Sequence, residues 1–274
     1  MVIKTLVENN TLSEEYSCEH GLSLYIEVQG YKILFDVGAT GLFLENAKKL
    51  GISIEEIDLL VISHGHYDHG GGLKKFLEVN KKAKIYLHPL AFEKHYSLRS
   101  NNKMEFIGID QEIKDNNQIV FTSQEFIINE RFQIFSKIDK KEGGQALNNS
   151  LYMDVNGEKV KDSFEHEQNL IIEEEGKSIL LTGCAHNGII NIVEHFYKLK
   201  GYMPDYIIGG FHLSSRSAKS TVDNNKIEDI AKYLLNTKAK CYTCHCTGIE
   251  AYEKLKDIMK DSIDYIKTSS EIII

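Results

Sequence analysis

Ser63-His64-Gly65-His66-Tyr67-Asp68-His69-Gly70-Gly71-Gly72 is the stretch on which the reading of this chain turns. Four side chains able to bind a metal fall within six residues, enough to begin two adjacent sites. His64, His66 and Asp68 alternate at period two, so an extended segment at a strand end throws them to one side while His69 leaves in another direction. The glycines let the backbone turn close to bound ions and open a helix whose positive N-terminus faces the site. A solvated, tag-like loop is disfavoured by position. The run directly follows Ile57 to Ser63, a continuous apolar stretch suited to the interior of a sheet covered on both faces, and it precedes a helical pattern from Gly72 to Asn80.

Working outward, Leu22 to Val28 and Tyr31 to Asp36 are β-rich runs joined at Gln29-Gly30, which reads as a hairpin with Asp36 at its end. Gly41 to Leu50 has helical spacing with Gly51 at a C-terminal position, and Ser53 to Glu56 resembles a capping box. Lys84 to His88 is strand-like and closed by Pro89. From Ala91 to Ser163 the pattern weakens, with a basic, Asn-rich stretch at Arg99 to Lys103 and a Gly143-Gly144 pair. This region is expected to be an inserted, partly mobile lid within one domain spanning 1–274, with Ile119 to Thr122 and Phe126 to Phe135 as a strand pair. Asn169 to Ile172 and Lys177 to Thr182 form a second hairpin. Gly188 to Leu199 then reads as a helix, Asp205 to Gly209 as a strand, Asp223 to Leu235 as a helix, Lys240 to Cys244 as a strand and Ile249 to Met259 as a helix.

The 274 residues are 42% hydrophobic and 26% charged with only 2 Pro, which excludes disordered, collagenous and small disulfide-stapled classes. The net charge of −8 repels phosphate backbones, so nucleic acid is a poor partner. The most apolar stretch, around Ile57 to Ile62, is far shorter than the ~20 residues a membrane helix needs. Lys4 and Glu8 interrupt the first residues, as no signal-peptide core would allow, so a cytoplasmic location is expected. Five cysteines, Cys18, Cys184, Cys241, Cys244 and Cys246, are an odd number and argue against a disulfide framework.

The His64-x-His66-x-Asp68-His69 run resembles the HxHxDH signature of the metallo-β-lactamase superfamily, and the likeness covers nearly the whole chain. Asp36 matches the family's early Asp, as a residue behind the ligands. The resemblance implies an αββα sandwich with metals at one edge of two central sheets. Thr182-Gly183-Cys184-Ala185-His186, Gly209-Gly210-Phe211-His212-Leu213 and His245-Cys246-Thr247-Gly248 look like the subgroup typified by archaeal 7,8-dihydropterin-6-methyl-4-(β-D-ribofuranosyl)-aminobenzene-5′-phosphate synthase.

The family likeness assigns His245 to a second metal with Asp68 and His69. For the third ligand of the first metal, beside His64 and His66, two candidates stand. His166 lies near the superfamily's interval before the bridging position, whereas His186 belongs to the subgroup's Gly-Cys-x-His motif; His186 is preferred, leaving His166 as a lid or substrate residue. Cys184 occupies the place of the bridging Asp, either as a thiolate ligand favouring zinc or as a small residue at a tight turn. Two divalent ions are implied; zinc leads, iron and manganese also fit, and oxygen-preferring magnesium fits poorly. Cys241, Cys244 and Cys246 read as packing thiols, because a zinc ribbon needs a second pair. His212 is a substrate-contact candidate after its Gly-Gly pair. His20, His88, His95 and His195 carry no supporting pattern, and His195 falls on the polar side of its helix.

Such metals imply hydrolysis of an ester, lactone or phosphoryl bond in a small phosphorylated or cyclic metabolite, with Asp68 orienting the nucleophile or shuttling its proton. The subgroup implies instead a transferase in which the metals grip the leaving diphosphate of a dihydropterin. A non-catalytic metal or pterin-type ligand binder would keep the fold without turnover. A metal-dependent nuclease ranks last, for want of basic patterning. Sequence leaves oligomeric state open.

Overall fold

The computed structural model describes residues 1–139, 146–215 and 220–274; the Gly143-Gly144 pair lies outside them. The chain opens with β1 (Val2–Val7), the hairpin β2 (Ser23–Val28) and β3 (Tyr31–Phe35), α1 (Leu42–Lys49) and β4 (Leu59–Val61). Then come a helical turn α2 (Tyr67–Gly70), α3 (Leu73–Val79) and β5 (Lys84–Leu87). The middle contributes the strands β6 (His95–Leu98), β7 (Met104–Phe106), β8 (Ile119–Phe121), β9 (Glu125–Ile127), β10 (Phe132–Phe135), β11 (Leu151–Val155) and β12 (Glu158–Lys161), with short 3-10 turns among them. A second hairpin, β13 (Asn169–Glu174) and β14 (Lys177–Thr182), is followed by α4 (Ile189–Lys200), β15 (Tyr206–Gly209), β16 (Ser214–Ser215) and β17 (Ser220–Thr221). The chain finishes with α5 (Asn224–Thr237), β18 (Lys240–Thr243), α6 (Ile249–Met259), β19 (Ile263–Tyr265) and β20 (Glu271–Ile273).

Both hairpins turn on two residues of positive φ, Gln29 at 46° with Gly30 at 82° and Glu175 at 49° with Gly176 at 77°, the geometry that matches strand twist. Helix ends follow local chemistry too. The Asp223 carboxylate caps α5 by accepting from the Lys226 N–H at 3.1 Å, and Gly201, at φ 79°, closes α4.

Two seven-stranded sheets make the body of the fold, β20-β1-β2-β3-β4-β5-β8 and β19-β18-β15-β14-β13-β10-β9. Three apolar layers show how they stack. Leu24, Ile26, Ile33, Phe35 and Val61 of the first sheet meet Phe132, Ile134, Leu170, Ile172 and Ile179 of the second. On the far side of the first sheet, Leu34 and Leu60 pack with Phe43 of α1 and Phe76 of α3. On the far side of the second, Leu180 and Ile207 pack with Ile192 and Phe196 of α4, Ile230 of α5 and Leu255 of α6. Because strand side chains alternate faces, an apolar residue at every position buries both faces, and the result is the αββα sandwich. Among the described residues no helix is long and apolar enough to cross a membrane.

The 91–163 region differs from a simple insertion. β8 pairs in parallel with β5 at the edge of the first sheet, while β9 and β10 extend the second. Ile119–Phe121 and Phe132–Phe135 are therefore strands of opposite sheets and do not pair with one another. What remains, β6, β7, β11 and β12, makes a separate four-stranded sheet, tied to the motif loop by a bridge between His66 and Gly108. β1 and β20 pair with each other across opposite ends of the sequence, a contact no local pattern announces.

Candidate metal centre

β3 and β4 run parallel, as do β14, β15 and β18, so their C-terminal ends open at one edge of the sandwich. Four turns there use a left-handed residue other than glycine: Asp36 (φ 60°), Ala185 (57°), His212 (51°) and His245 (52°). Each such backbone costs on the order of 1 kcal/mol or more and persists because the surrounding structure fixes it. The motif itself is extended only to His66, at φ −88° and ψ 148°; α2 begins at Tyr67, so Asp68 and His69 arise from a helical turn and not from a period-two strand end. Gly65 fits because a Cβ there would lie 2.4 Å from the Ala91 carbonyl oxygen and 2.7 Å from His95 Nε2.

Hydrogen-bond direction settles which ring atoms of the first cluster hold lone pairs. Asp36 Oδ2 accepts from Ser63 Oγ at 2.8 Å, so the hydroxyl oxygen must accept from His64 Nδ1 at 2.9 Å, leaving His64 Nε2 bare. The Asn148 amide donates to the His186 carbonyl at 2.8 Å and accepts from His186 Nδ1 at 2.9 Å, leaving His186 Nε2 bare. His64 Nε2 stands 3.1 Å from His66 Nδ1. Ligand atoms of His64, His66 and His186 all lie within 4.8 Å of one another, and His186 Nε2 has no hydrogen-bond partner though buried. Burial, reinforced by neighbouring imidazoles, holds His64 and His186 well below the ordinary histidine range, in the neutral form that binds metals.

Asp68, His69 and His245 form the second cluster. His69 Nδ1 donates to Asp36 Oδ2 at 2.6 Å, turning Nε2 toward His245 Nε2 at 3.2 Å. His245 Nε2 is 3.3 Å from Asp68 Oδ2. Burial works against a charge on His69, but Asp36 and Asp68 outweigh it and lift its pKa to about 9. Burial likewise opposes ionisation of Asp68, and His69 with the His20 and His245 rings outweighs it, holding the carboxyl well below its usual range. Cys184 Sγ, 3.1 Å from His69 Nε2, is grouped with His64 and His69 on one side and with His245 and Cys246 on another, so it sits between the clusters. The orphaned His186 nitrogen, the convergent bare nitrogens and the carboxylate between them fit divalent cations.

His166, expected as a lid or substrate residue, is not among the residues lining the cavity. It is fully buried, its Nδ1 accepts from the Gly65 N–H at 3.0 Å and its Nε2 faces Asp162 at 3.2 Å, behind the motif loop. His95 Nδ1 meets the same carboxylate at 2.9 Å. His166 and His95 hold Asp162 far below the usual carboxylate range in spite of its burial. This network fixes the Gly65 peptide and so the splay of His64 and His66. His212 is buried beside His186, ring centroids 4.1 Å apart, with neither ring nitrogen hydrogen-bonded. His195 is half-buried and stacks on Phe135 at 5.2 Å, so it is not a solvated surface residue. Cys241 and Cys244 pack in different apolar layers, whereas Cys246 lines the site, its thiol 3.3 Å from the Cys184 carbonyl.

Sequence reasoning passed over His20, His95, Asn9 and Glu8. The Glu8 carboxylate accepts from the His245 N–H at 2.7 Å and from the Tyr265 hydroxyl at 2.7 Å, anchoring the last histidine's turn. No local signal marks these residues, which meet the motif only through the fold. His66, Asp68, Cys184, His186 and His245 line a cavity of about 720 Å³, together with Ile107, Leu147 and Leu151, Ser150 and Ser214, and Arg99 from the turn after β6.

A family model described as the metallo-β-lactamase superfamily matches residues 17–151. An uncharacterized protein of Methanocaldococcus jannaschii is 34% identical over 266 residues, 94% of each chain. The 7,8-dihydropterin-6-methyl-4-(β-D-ribofuranosyl)-aminobenzene-5′-phosphate synthase of the same organism is 30% identical over 279 residues, 93% of this chain and 92% of the synthase. Among solved structures, a protein described as a metal-dependent hydrolase of the β-lactamase superfamily superposes with a TM-score of 0.84 at 27% identity, covering 100% of this chain and 99% of that one.

Proposed function

The chain belongs to the metallo-β-lactamase superfamily, and from that membership we propose that it is a metal-dependent hydrolase of a small phosphorylated or cyclic metabolite. The observation that carries the reading is the pair of His and Asp clusters that contribute His66, His186, Asp68 and His245 to the lining of one cavity. Two divalent ions are proposed, held by His64, His66 and His186 and by Asp68, His69 and His245, with Cys184 between them; a thiolate there favours zinc over iron or manganese.

When bound, such ions lower the pKa of water toward neutrality and polarise a phosphoryl or acyl oxygen. The chain's own residues do the rest. Asp68, held ionised, accepts a hydrogen bond from the attacking water and aims it at the phosphorus or carbon whose bond to the leaving oxygen breaks. Asp36 keeps His69 in the tautomer whose Nε2 faces the site, and the Asp162–His166 pair holds the loop that carries His64 and His66. His212 has free ring nitrogens for the substrate, Arg99 supplies a fixed positive charge for an anionic substituent, and Ile107, Leu147 and Leu151 exclude bulk water.

A second reading, a dihydropterin synthase-like transferase, is favoured by the 30% identity to the archaeal synthase. The two separate in one experiment. Metal-reconstituted protein is incubated with dihydropterin diphosphate, with and without ribofuranosylaminobenzene phosphate, and products are followed by mass spectrometry beside phosphodiester and lactone substrates. A condensed product appearing only with both substrates establishes the transferase; metal-dependent hydrolysis without condensation establishes the hydrolase. His66→Ala is expected to lower bound metal and turnover together. Full activity at unchanged metal content would sink both readings, and tight saturable binding with no turnover would point to a non-catalytic binder.

A further inference from the structure

His20 lies 44 residues ahead of the HxHxDH run's first histidine, on the segment between β1 and β2, yet its ring stands over the second cluster, 4.8 Å from that of His245. Asn9 fixes what this ring presents. Its amide direction is set by two partners of unambiguous role: Nδ2 donates to the His245 carbonyl at 3.2 Å, and Oδ1 accepts from the Gly21 N–H at 3.3 Å. The same Oδ1 faces His20 Nδ1 at 3.2 Å and His245 Nδ1 at 2.9 Å, so both rings donate through Nδ1.

Their Nε2 atoms then converge on a single oxygen. His20 Nε2 is 3.2 Å and His245 Nε2 is 3.3 Å from Asp68 Oδ2, while His69 Nε2, its own Nδ1 committed to Asp36, is 3.2 Å from His245 Nε2. A carboxylate oxygen and nitrogen lone pairs repel unless a proton or a metal ion lies among them. Ligand atoms ~2.0–2.1 Å from one tetrahedral ion stand about 3.3 Å apart; these three contacts have that spacing, and His69 Nε2 is farther from Asp68 Oδ2, at 3.9 Å. Backbone holds the arrangement, since the Leu22 N–H donates to the Asp68 carbonyl at 3.1 Å and ties the His20 segment to α2.

We infer that His20 is a further ligand of the second metal, giving it three imidazoles and one carboxylate; this rests on the reading that Asp68, His69 and His245 hold an ion. The competing arrangement is a protonated His20 paired to Asp68 with no part in coordination. Purified wild type, His20→Ala, His20→Asp and His20→Lys are stripped and titrated with Zn²⁺ against a chromophoric chelator, and with Co²⁺ followed by visible absorption. In His20→Ala the second equivalent is expected to bind about 100-fold more weakly with an altered Co²⁺ spectrum, the first equivalent reporting that the fold is intact. His20→Asp, which restores a ligand but not a cation, should recover most of that loss, and His20→Lys should not.

A His20→Ala titration superimposable on wild type overturns the assignment and leaves the two-metal reading standing. Retention of the second equivalent by His20→Lys with its loss in His20→Asp overturns it in favour of the ion pair. A wild type that binds no second equivalent overturns both.

Discussion

Replacing Asp36 by Asn changes one atom's chemistry and leaves the shape of the side chain. The buried carboxylate accepts from the Ser63 N–H at 2.7 Å through Oδ1, and from Ser63 Oγ at 2.8 Å and His69 Nδ1 at 2.6 Å through Oδ2. An amide can keep its oxygen toward the Ser63 peptide, which then sets its NH₂ against the other two donors. His69 must answer with a lone pair on Nδ1, which moves its proton to Nε2, the atom that faces the second cluster. A hydrogen bond to a charged group contributes ~1.5–3 kcal/mol; at about 1.4 kcal/mol per decade that corresponds to roughly 10- to 150-fold in affinity. Losses of about 10- to 100-fold are the general experience with residues behind metal ligands. Asp36→Asn is therefore expected to weaken the second Zn²⁺ equivalent by roughly 10- to 100-fold, with a smaller effect on the first. Chelator competition on folded protein, checked by circular dichroism, measures it. Wild-type affinity for both equivalents in Asp36→Asn would refute the argument that this carboxylate sets the His69 tautomer.

The His69 shift carries its own pH dependence. With the pKa lifted from 6.5 to about 9, the ring holds a proton at neutral pH, so an ion entering there must displace it. Calorimetry in buffers of different ionisation enthalpy should show proton release on loading the second equivalent, and affinity should rise about tenfold per pH unit up to about pH 9; a pH-independent affinity would contradict it. For the apo protein the sign runs the other way: the raised pKa stabilises the fold fully below pH 6.5, and that contribution is lost as pH rises through about 9. Gly65→Ala places a methyl group 2.4 Å from the Ala91 carbonyl oxygen and is expected to destabilise by about 1–3 kcal/mol. A urea midpoint equal to wild type at equal slope would show that the loop relaxes freely.

What could be read in advance follows how far in sequence the responsible contact reaches. Strands and hairpins were legible from short apolar runs and the residues between them, signals contained within a few residues, whereas the αββα sandwich was implied by the resemblance of the His64-x-His66-x-Asp68-His69 run to the metallo-β-lactamase signature. The motif was legible as chemistry but not as geometry, since period-two alternation carries no information about the helical turn that starts at Tyr67. Between His186 and His166, spacing alone could not choose. Their surroundings differ through contacts the sequence does not show: Asn148 orients His186 from 38 residues away, and Asp162 pairs with His166. Similarly, β8 and β10 have equal claims to pair until the interlayer packing sends them to opposite sheets. His195 is polar by residue type, but Phe135 from the neighbouring strand covers it.

The contacts that assemble the metal centre span the sequence: His69 meets His245 across 176 residues, Gly65 meets His166 across 101, and Tyr265 meets Glu8 across 257. Contacts of such separation form late in folding, after loop closure has been overcome by the packing of both sheets. The His64–His69 run supplies four donors locally, whereas His186 and His245 reach them only through the fold. On the proposed metal reading, the full set of donors therefore exists only in the folded chain.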